Sequence, residues 1–179
     1  MTFLLDPYAA RNCPVKTFNA FDPGTPKPEK PLDESLLEAF SGGSEFRESV
    51  LETLCRGGEV IDLRDEGHPP AETLAAMDAG APVIVGGHLP VDVPGHRCGH
   101  PDALVRGDDR PDGRPGYWPL RVKPYRLLEK QRNANELRAS ALSSPTVLEP
   151  LPGFRFRSYR QGVLLEITKI GRASCRERV

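Results

Sequence analysis

Asp102 and Lys123 are the residues whose types and spacing could do chemistry together. Each stands in a stretch with strand character, His96 to Arg106 and Tyr117 to Lys123, and the ten residues between, Gly107 to Gly116, are turn formers. Two strands so joined form a hairpin with a long polar connection. Strand side chains alternate, so Asp102, Leu104 and Arg106 share one face, and Tyr117, Pro119, Arg121 and Lys123 share a face opposite Trp118, Leu120 and Val122. The apolar set Trp118, Leu120 and Val122 predicts the buried side. An aspartate on one strand and a lysine on its partner can then approach each other. Joined by a glutamate from a helix, such a pair could hold Mg²⁺, which wants hard oxygen ligands and keeps waters for chemistry. The lysine would orient or help deprotonate a metal-bound water. An Asp–Lys pair on neighbouring strands is more often a plain salt bridge, and the spacing leaves both readings open.

The elements that must position this pair follow from periodicity. Leu36, Leu37 and Phe40 form one helical stripe, Gly42-Gly43 a break, and Ser44 an N-cap for a second helix. That helix carries Phe46, Val50, Leu51 and Leu54 at helical spacing and ends at Gly57-Gly58. Val60-Ile61-Asp62-Leu63 predicts a short strand. Pro69-Pro70 opens a third helix with Leu74 and Met77, stopped by Gly80, and Pro82 to Val85 is a second strand. Beyond the hairpin, residues 127–142 read as weakly helical, Ser143 to Pro152 as a linker, and Arg155 to Arg160 as a basic segment running into Val163-Leu164-Leu165. The prolines between 6 and 31 predict an ordered start through Cys13 and then an extended connector. There is no internal repeat. The order helix, strand, helix, strand, strand, strand predicts an α/β (α+β) domain around a small sheet.

Composition narrows the function classes. The chain has 179 residues, 24 basic and 25 acidic, with a formal charge of −1. That argues against a histone-like or tail-type nucleic-acid binder but not against a local basic groove. Glycine (17) and proline (19) are in excess, so long uninterrupted helices are not expected to dominate. No run of 18 apolar residues occurs, which argues against a membrane span. The start, Met1 to Pro7, is not a secretory signal, because it lacks a basic region and is interrupted by Asp6. The expectation is a cytoplasmic chain with reduced thiols. Cys13, Cys55, Cys98 and Cys175 make no CxxC pair, and His68, His88, His96 and His100 fit no helical HxxxH pattern and read as surface-loop histidines. Residues 170–179 resemble translated sequencing-adaptor DNA and are read as a non-native tail, so the natural sequence is expected to continue beyond Lys169.

Gly99-His100-Pro101-Asp102-Ala103-Leu104-Val105-Arg106, followed by Gly116-Tyr117-Trp118-Pro119-Leu120-Arg121-Val122-Lys123, resembles the core of RecB-like and Cas4-like nucleases of the PD-(D/E)xK superfamily. There a G-x-P-D-x-L-x-R strand precedes G-Y-x-P-x-x-x-K. The approach from Thr73 to Ile84 resembles the family's T-x-x-A-M-x-x-G-x-x-V-I segment, and Tyr8 to Lys16 resembles its start, so the resemblance covers residues 3–165. It implies a restriction-endonuclease-like fold: a small mixed sheet flanked by helices, here incomplete at the C-terminus. The layout is then an N-terminal segment and connector (1–31), a partial nuclease-like domain (32–165) and the tail (170–179). The implied activity is Mg²⁺- or Mn²⁺-dependent hydrolysis of a DNA phosphodiester, with DNA as partner, a helicase domain or subunit as a further one, and no membrane. Asp102 would bind the ion and Lys123 would position water or stabilise charge. Arg106, Arg121 and Arg126 would meet nucleic acid.

Two departures stand against hydrolysis. The position two before the lysine, where the family carries its second carboxylate, is Arg121, which cannot bind a metal. The helix entry Ser44 to Val50 aligns Arg47 with the family's acid, leaving Glu48, as a metal ligand, or Glu45 to serve in its place; both read equally well as solvated helix surface. The family's Gln/Tyr-bearing helix is not recognisable. Cys13 stands where a Cas4-like cluster cysteine would, but the C-terminal set is missing, so no iron–sulfur cluster is expected. The alternatives are therefore a working nuclease, a catalytically inactive DNA- or protein-binding relative of the same fold, or a fragment without independent function. The run Arg155-Phe156-Arg157-Ser158-Tyr159-Arg160 interleaves cations and aromatics, as a nucleic-acid strip or a solvated edge would.

Overall fold

The structure, a computed structural model, describes residues 4–5, 13–27, 33–65, 68–96, 98–134 and 137–174 (34–40, 169 and 171–174 by backbone alone). Among these lie four α-helices: α1 (Pro14–Phe21), α2 (Glu34–Arg56), α3 (Pro70–Asp78) and α4 (Gln161–Ser174). Eight short strands accompany them: β1 (Val60–Asp62), β2 (Val83–Val85), β3 (Ala103–Arg106), β4 (Tyr117–Leu120), β5 (Leu128–Lys130), β6 (Arg138–Ala139), β7 (Glu149–Pro150) and β8 (Phe154–Phe156). The described part is a mixed α+β architecture. No helix among the described residues is long and apolar enough to cross a membrane.

The main sheet has the order β1-β2-β3-β4. β1 and β2 run parallel, as a strand–helix–strand crossover through α3 requires, and the other pairs are antiparallel. Both faces of the sheet are covered. Val83, Val85 and Ala103 pack against Leu51 and Leu54 of α2, with Leu120 and Val122 beside them. Ile84, Leu104 and Tyr117 pack on the other side with Ala76 of α3 and Ile170 of α4. Coverage on both sides explains why β2 reads as an unbroken apolar run rather than an alternating one. Val83 to Val85 and Ala103 to Val105 are all buried. The element order from α2 to β4 is the one the sequence predicts.

Several local expectations give way. Gly42-Gly43 does not break α2, which runs through both glycines. A mid-helix glycine costs roughly 0.5–1 kcal/mol, which weakens a helix but does not stop one as proline does. Consequently Ser44 caps nothing. Residues 14–21 form α1 rather than a connector, since Pro14 falls in the first turn, where a missing N–H is harmless. The weakly helical reading of 127–142 is overturned by strands. β5 pairs with β8, setting Leu128 opposite Phe156 and Glu129 opposite Arg155, and β6 pairs with β7. Such cross-strand pairs outweigh a weak local preference. The predicted linker 143–152 contains β7.

The hairpin strands are shorter than predicted, and both of their sides are covered; of the apolar set expected to be buried, Trp118 alone stays out. Tyr117 is buried and its hydroxyl donates to the Ala81 carbonyl at 2.7 Å, whereas Trp118 is 60% exposed. Leu120 and Val122 do turn inward, toward α2. The expected start over residues 8–12, the side-chain stripe of Leu36, Leu37 and Phe40, and Cys175 lie outside the described residues.

Candidate functional site

Asp102 is the residue immediately before β3, and its backbone is fixed from both sides. Its N–H donates to the Leu120 carbonyl at 2.9 Å, and its carbonyl accepts from Gly86 N–H at 3.1 Å. Gly86 has φ +72, and a Cβ there would meet Arg64 at 2.8 Å, so the turn after β2 requires glycine. Asp102 is only 2% exposed. Its Oδ2 accepts from the Val122 backbone N–H at 2.6 Å. Its Oδ1 accepts from Arg47 Nε at 2.7 Å and from Arg121 Nη1 at 3.2 Å.

The strand alternation of β4 persists beyond its last residue. Val122 turns to the α2 side, while Arg121 and Lys123 turn to α4. There they meet Glu166, which is as buried as Asp102. Lys123 Nζ donates to both Glu166 oxygens at 3.1 Å. Arg121 Nε donates to Glu166 Oε1 at 3.2 Å, and Nη2 lies 3.1 Å from the same atom. Arg121 also donates to the His100 carbonyl at 3.0 Å. Burial alone would raise the Glu166 carboxyl, but Lys123 and Arg121 outweigh it and hold the group below the usual carboxylate range. His100 is pushed down by burial, by His88, whose ring centroid is 4.6 Å away, and by Arg121.

Arg121 therefore bridges two buried carboxylates, and Asp102 and Lys123 come to the same face, linked through Arg121 and Glu166 rather than directly. Glu166 is the member of this cluster that the sequence expectations lack. Val163, Glu166 and Ile170 fall at i, i+3 and i+7 and are all buried, so a carboxylate on the inward stripe of α4 was the available signal. α4 also runs through the position where the adaptor-like string begins, and Ile170 is fully buried against Gly99.

Glu48 stands apart from this network. It pairs with Arg64, which also binds Asp62. These residues, with Arg47, Asp65 and His88, line a cleft of about 470 Å³. The Arg64 hydrogen bond holds the Asp62 carboxyl low, and burial pushes the neighbouring Cys55 thiol up.

A larger groove, about 720 Å³, is lined by Arg121 together with Arg106, Trp118, Arg138, Leu142 and Leu148 among others. The Trp118 indole lies against Gly107, where an added Cβ would come within 2.2 Å of the ring nitrogen. Arg106 pairs with Asp109, yet its Nη1 is buried without a hydrogen-bond partner. Arg126 is exposed on the segment after β4 and lines neither cleft.

No family model, curated protein or solved structure matches the chain.

A divalent ion does not fit the donor set as arranged. Both Asp102 oxygens and both Glu166 oxygens already accept from guanidinium, ammonium or amide donors. Two carboxylates face three cations, Arg47, Arg121 and Lys123, so the cluster repels a further positive charge. Among the described residues no group of three His, Cys, Asp or Glu side chains could hold a metal. The basic strip is also committed: Arg155 pairs with Glu129, Arg157 with the Tyr159 hydroxyl, and Arg160 lies 4.1 Å from the centre of the Tyr125 ring.

Proposed function

We propose that this chain binds DNA along the groove beside β4 and does not cut it, as a RecB-like relative of the PD-(D/E)xK superfamily whose acidic centre is closed by arginine. The observation that carries the reading is the groove itself. It sets an exposed tryptophan among Arg106, Arg121 and Arg138, and Arg121 ties it to the buried Asp102. Trp118 offers a π face on which a base can stack. Arg106 and Arg138 line the groove and offer charge to the phosphates, and Arg126 adds an exposed cation on the segment after β4. A restriction-endonuclease-like fold accords with the helix–sheet–helix layering and with the placement of Asp102 and Lys123 on one face.

Metal-dependent hydrolysis of DNA is the competing reading. What favours it is that Glu166 supplies, from α4, a second carboxylate beside Lys123 where the strand carries Arg121.

The groove is tested by fluorescence anisotropy with labelled single-stranded and duplex DNA. Removing a stacking aromatic costs about 1–3 kcal/mol per base, so Trp118→Ala should weaken binding roughly 5- to 150-fold. Unchanged affinity in Trp118→Ala, or no binding by the parent chain, would sink the proposal.

A further inference from the structure

We infer that Arg47 and Arg121 together occupy the place of a divalent cation, so that exchanging them for acids turns the centre into a metal site. The inference rests on the reading of Asp102 as a closed acidic centre. A carboxylate 2% exposed needs a positive partner, because burying an unpaired charge is far costlier than burying a paired one. Here the positive charge comes from two guanidiniums on one oxygen, at 2.7 and 3.2 Å. Arginine suits this task. It stays protonated at any accessible pH, and its planar fork lets Arg121 hold Asp102, Glu166 and the His100 carbonyl at once. With both guanidiniums in place, the buried pair Asp102 and Glu166 keeps its compensation without an ion.

Acids at the two positions undo this. Arg47→Glu replaces the guanidinium nearest Asp102 with a carboxylate, and Arg121→Asp removes the bridge and adds another. Lys123 remains on Glu166, but the cluster becomes strongly negative and rich in hard oxygens, the donor type Mg²⁺ and Mn²⁺ select.

The test compares the thermal midpoints of the parent chain and the double variant in EDTA and across a Mn²⁺ titration, with calorimetry of Mn²⁺ binding. An ion that binds only the folded state raises the midpoint as its concentration rises. The double variant should have a lower midpoint in EDTA, a midpoint that climbs with Mn²⁺, and a saturable isotherm. The parent should show neither. A flat midpoint in the double variant overturns the inference, as does a Mn²⁺ response in the parent that Asp102→Asn abolishes. If the double variant is unfolded with and without Mn²⁺, Arg47→Gln with Arg121→Asp decides: both guanidiniums are removed with one added carboxylate fewer, and a Mn²⁺-dependent midpoint supports the inference while a flat one overturns it. DNA binding is not read here, so failure of the DNA-binding reading and failure of this one are separable.

Discussion

Arg47 Nε lies 2.7 Å from Asp102 Oδ1, tying the middle of α2 to the first residue before β3. With Arg121 on the same oxygen and the Val122 N–H on the other, Asp102 is held from three segments at once. Removing one partner of a buried ion pair is destabilising by about 3–5 kcal/mol. Because Arg47 is 44% exposed and can be re-solvated, Asp102→Ala should fall at the lower end, about 3 kcal/mol. Urea unfolding measures it, and a loss below about 1 kcal/mol would mean that the network contributes little.

Acid should loosen the other end of the network. The Glu166 carboxyl is held below its ordinary value of 4.5 in the fold. The folded state therefore binds fewer protons there than the unfolded state. The stabilisation is fully present above about pH 4.5 and is lost as pH falls through the folded value. Glu166→Gln removes this component, so its unfolding free energy should change less steeply below pH 4.5 than that of the parent. Parallel curves would exclude Glu166 as a source of the acid sensitivity.

Gly107→Ala is a separate probe of the groove. The new methyl would press on the Trp118 indole at 2.2 Å, so the ring must leave its place. The expected outcome is a changed tryptophan emission spectrum, the chain holding a single tryptophan, and weaker DNA binding in a chain that still unfolds cooperatively. An unchanged spectrum would show that the indole does not rest on this residue.

Salt dependence separates phosphate contacts from stacking. Each arginine contacting a phosphate of duplex DNA contributes about one unit to the slope of log affinity against log salt. Arg106→Ala and Arg138→Ala should each reduce the slope by about one, whereas Trp118→Ala should lower affinity without changing it. Equal slopes in all variants would remove both arginines from the interface.

The order of elements from α2 to β4 was legible because strong local signals mark it: the Leu51 and Leu54 stripe, the Pro69-Pro70 start, the glycine stops and the apolar run of β2. The face shared by Asp102, Arg121 and Lys123 was legible from alternation alone. The identity of the buried side was not, because both faces of the sheet are covered and Trp118 rests on a glycine at the groove instead of entering the core. β5 to β8 were hidden because their pairings join residues ten or more positions apart and carry little periodicity. Glu166 escaped notice for a related reason. Its importance comes from Lys123 and Arg121, more than forty residues earlier in the chain, and a lone acid in an apolar run does not announce its partner.

The most direct test of the account is a cleavage assay. Labelled single-stranded and duplex DNA are incubated with the parent chain and with Lys123→Ala, in Mg²⁺ and in Mn²⁺, and resolved on a denaturing gel. The account predicts that both proteins leave the DNA intact while the parent binds it. Cutting by the parent that Lys123→Ala and Asp102→Ala both abolish would contradict it and establish hydrolysis at this centre.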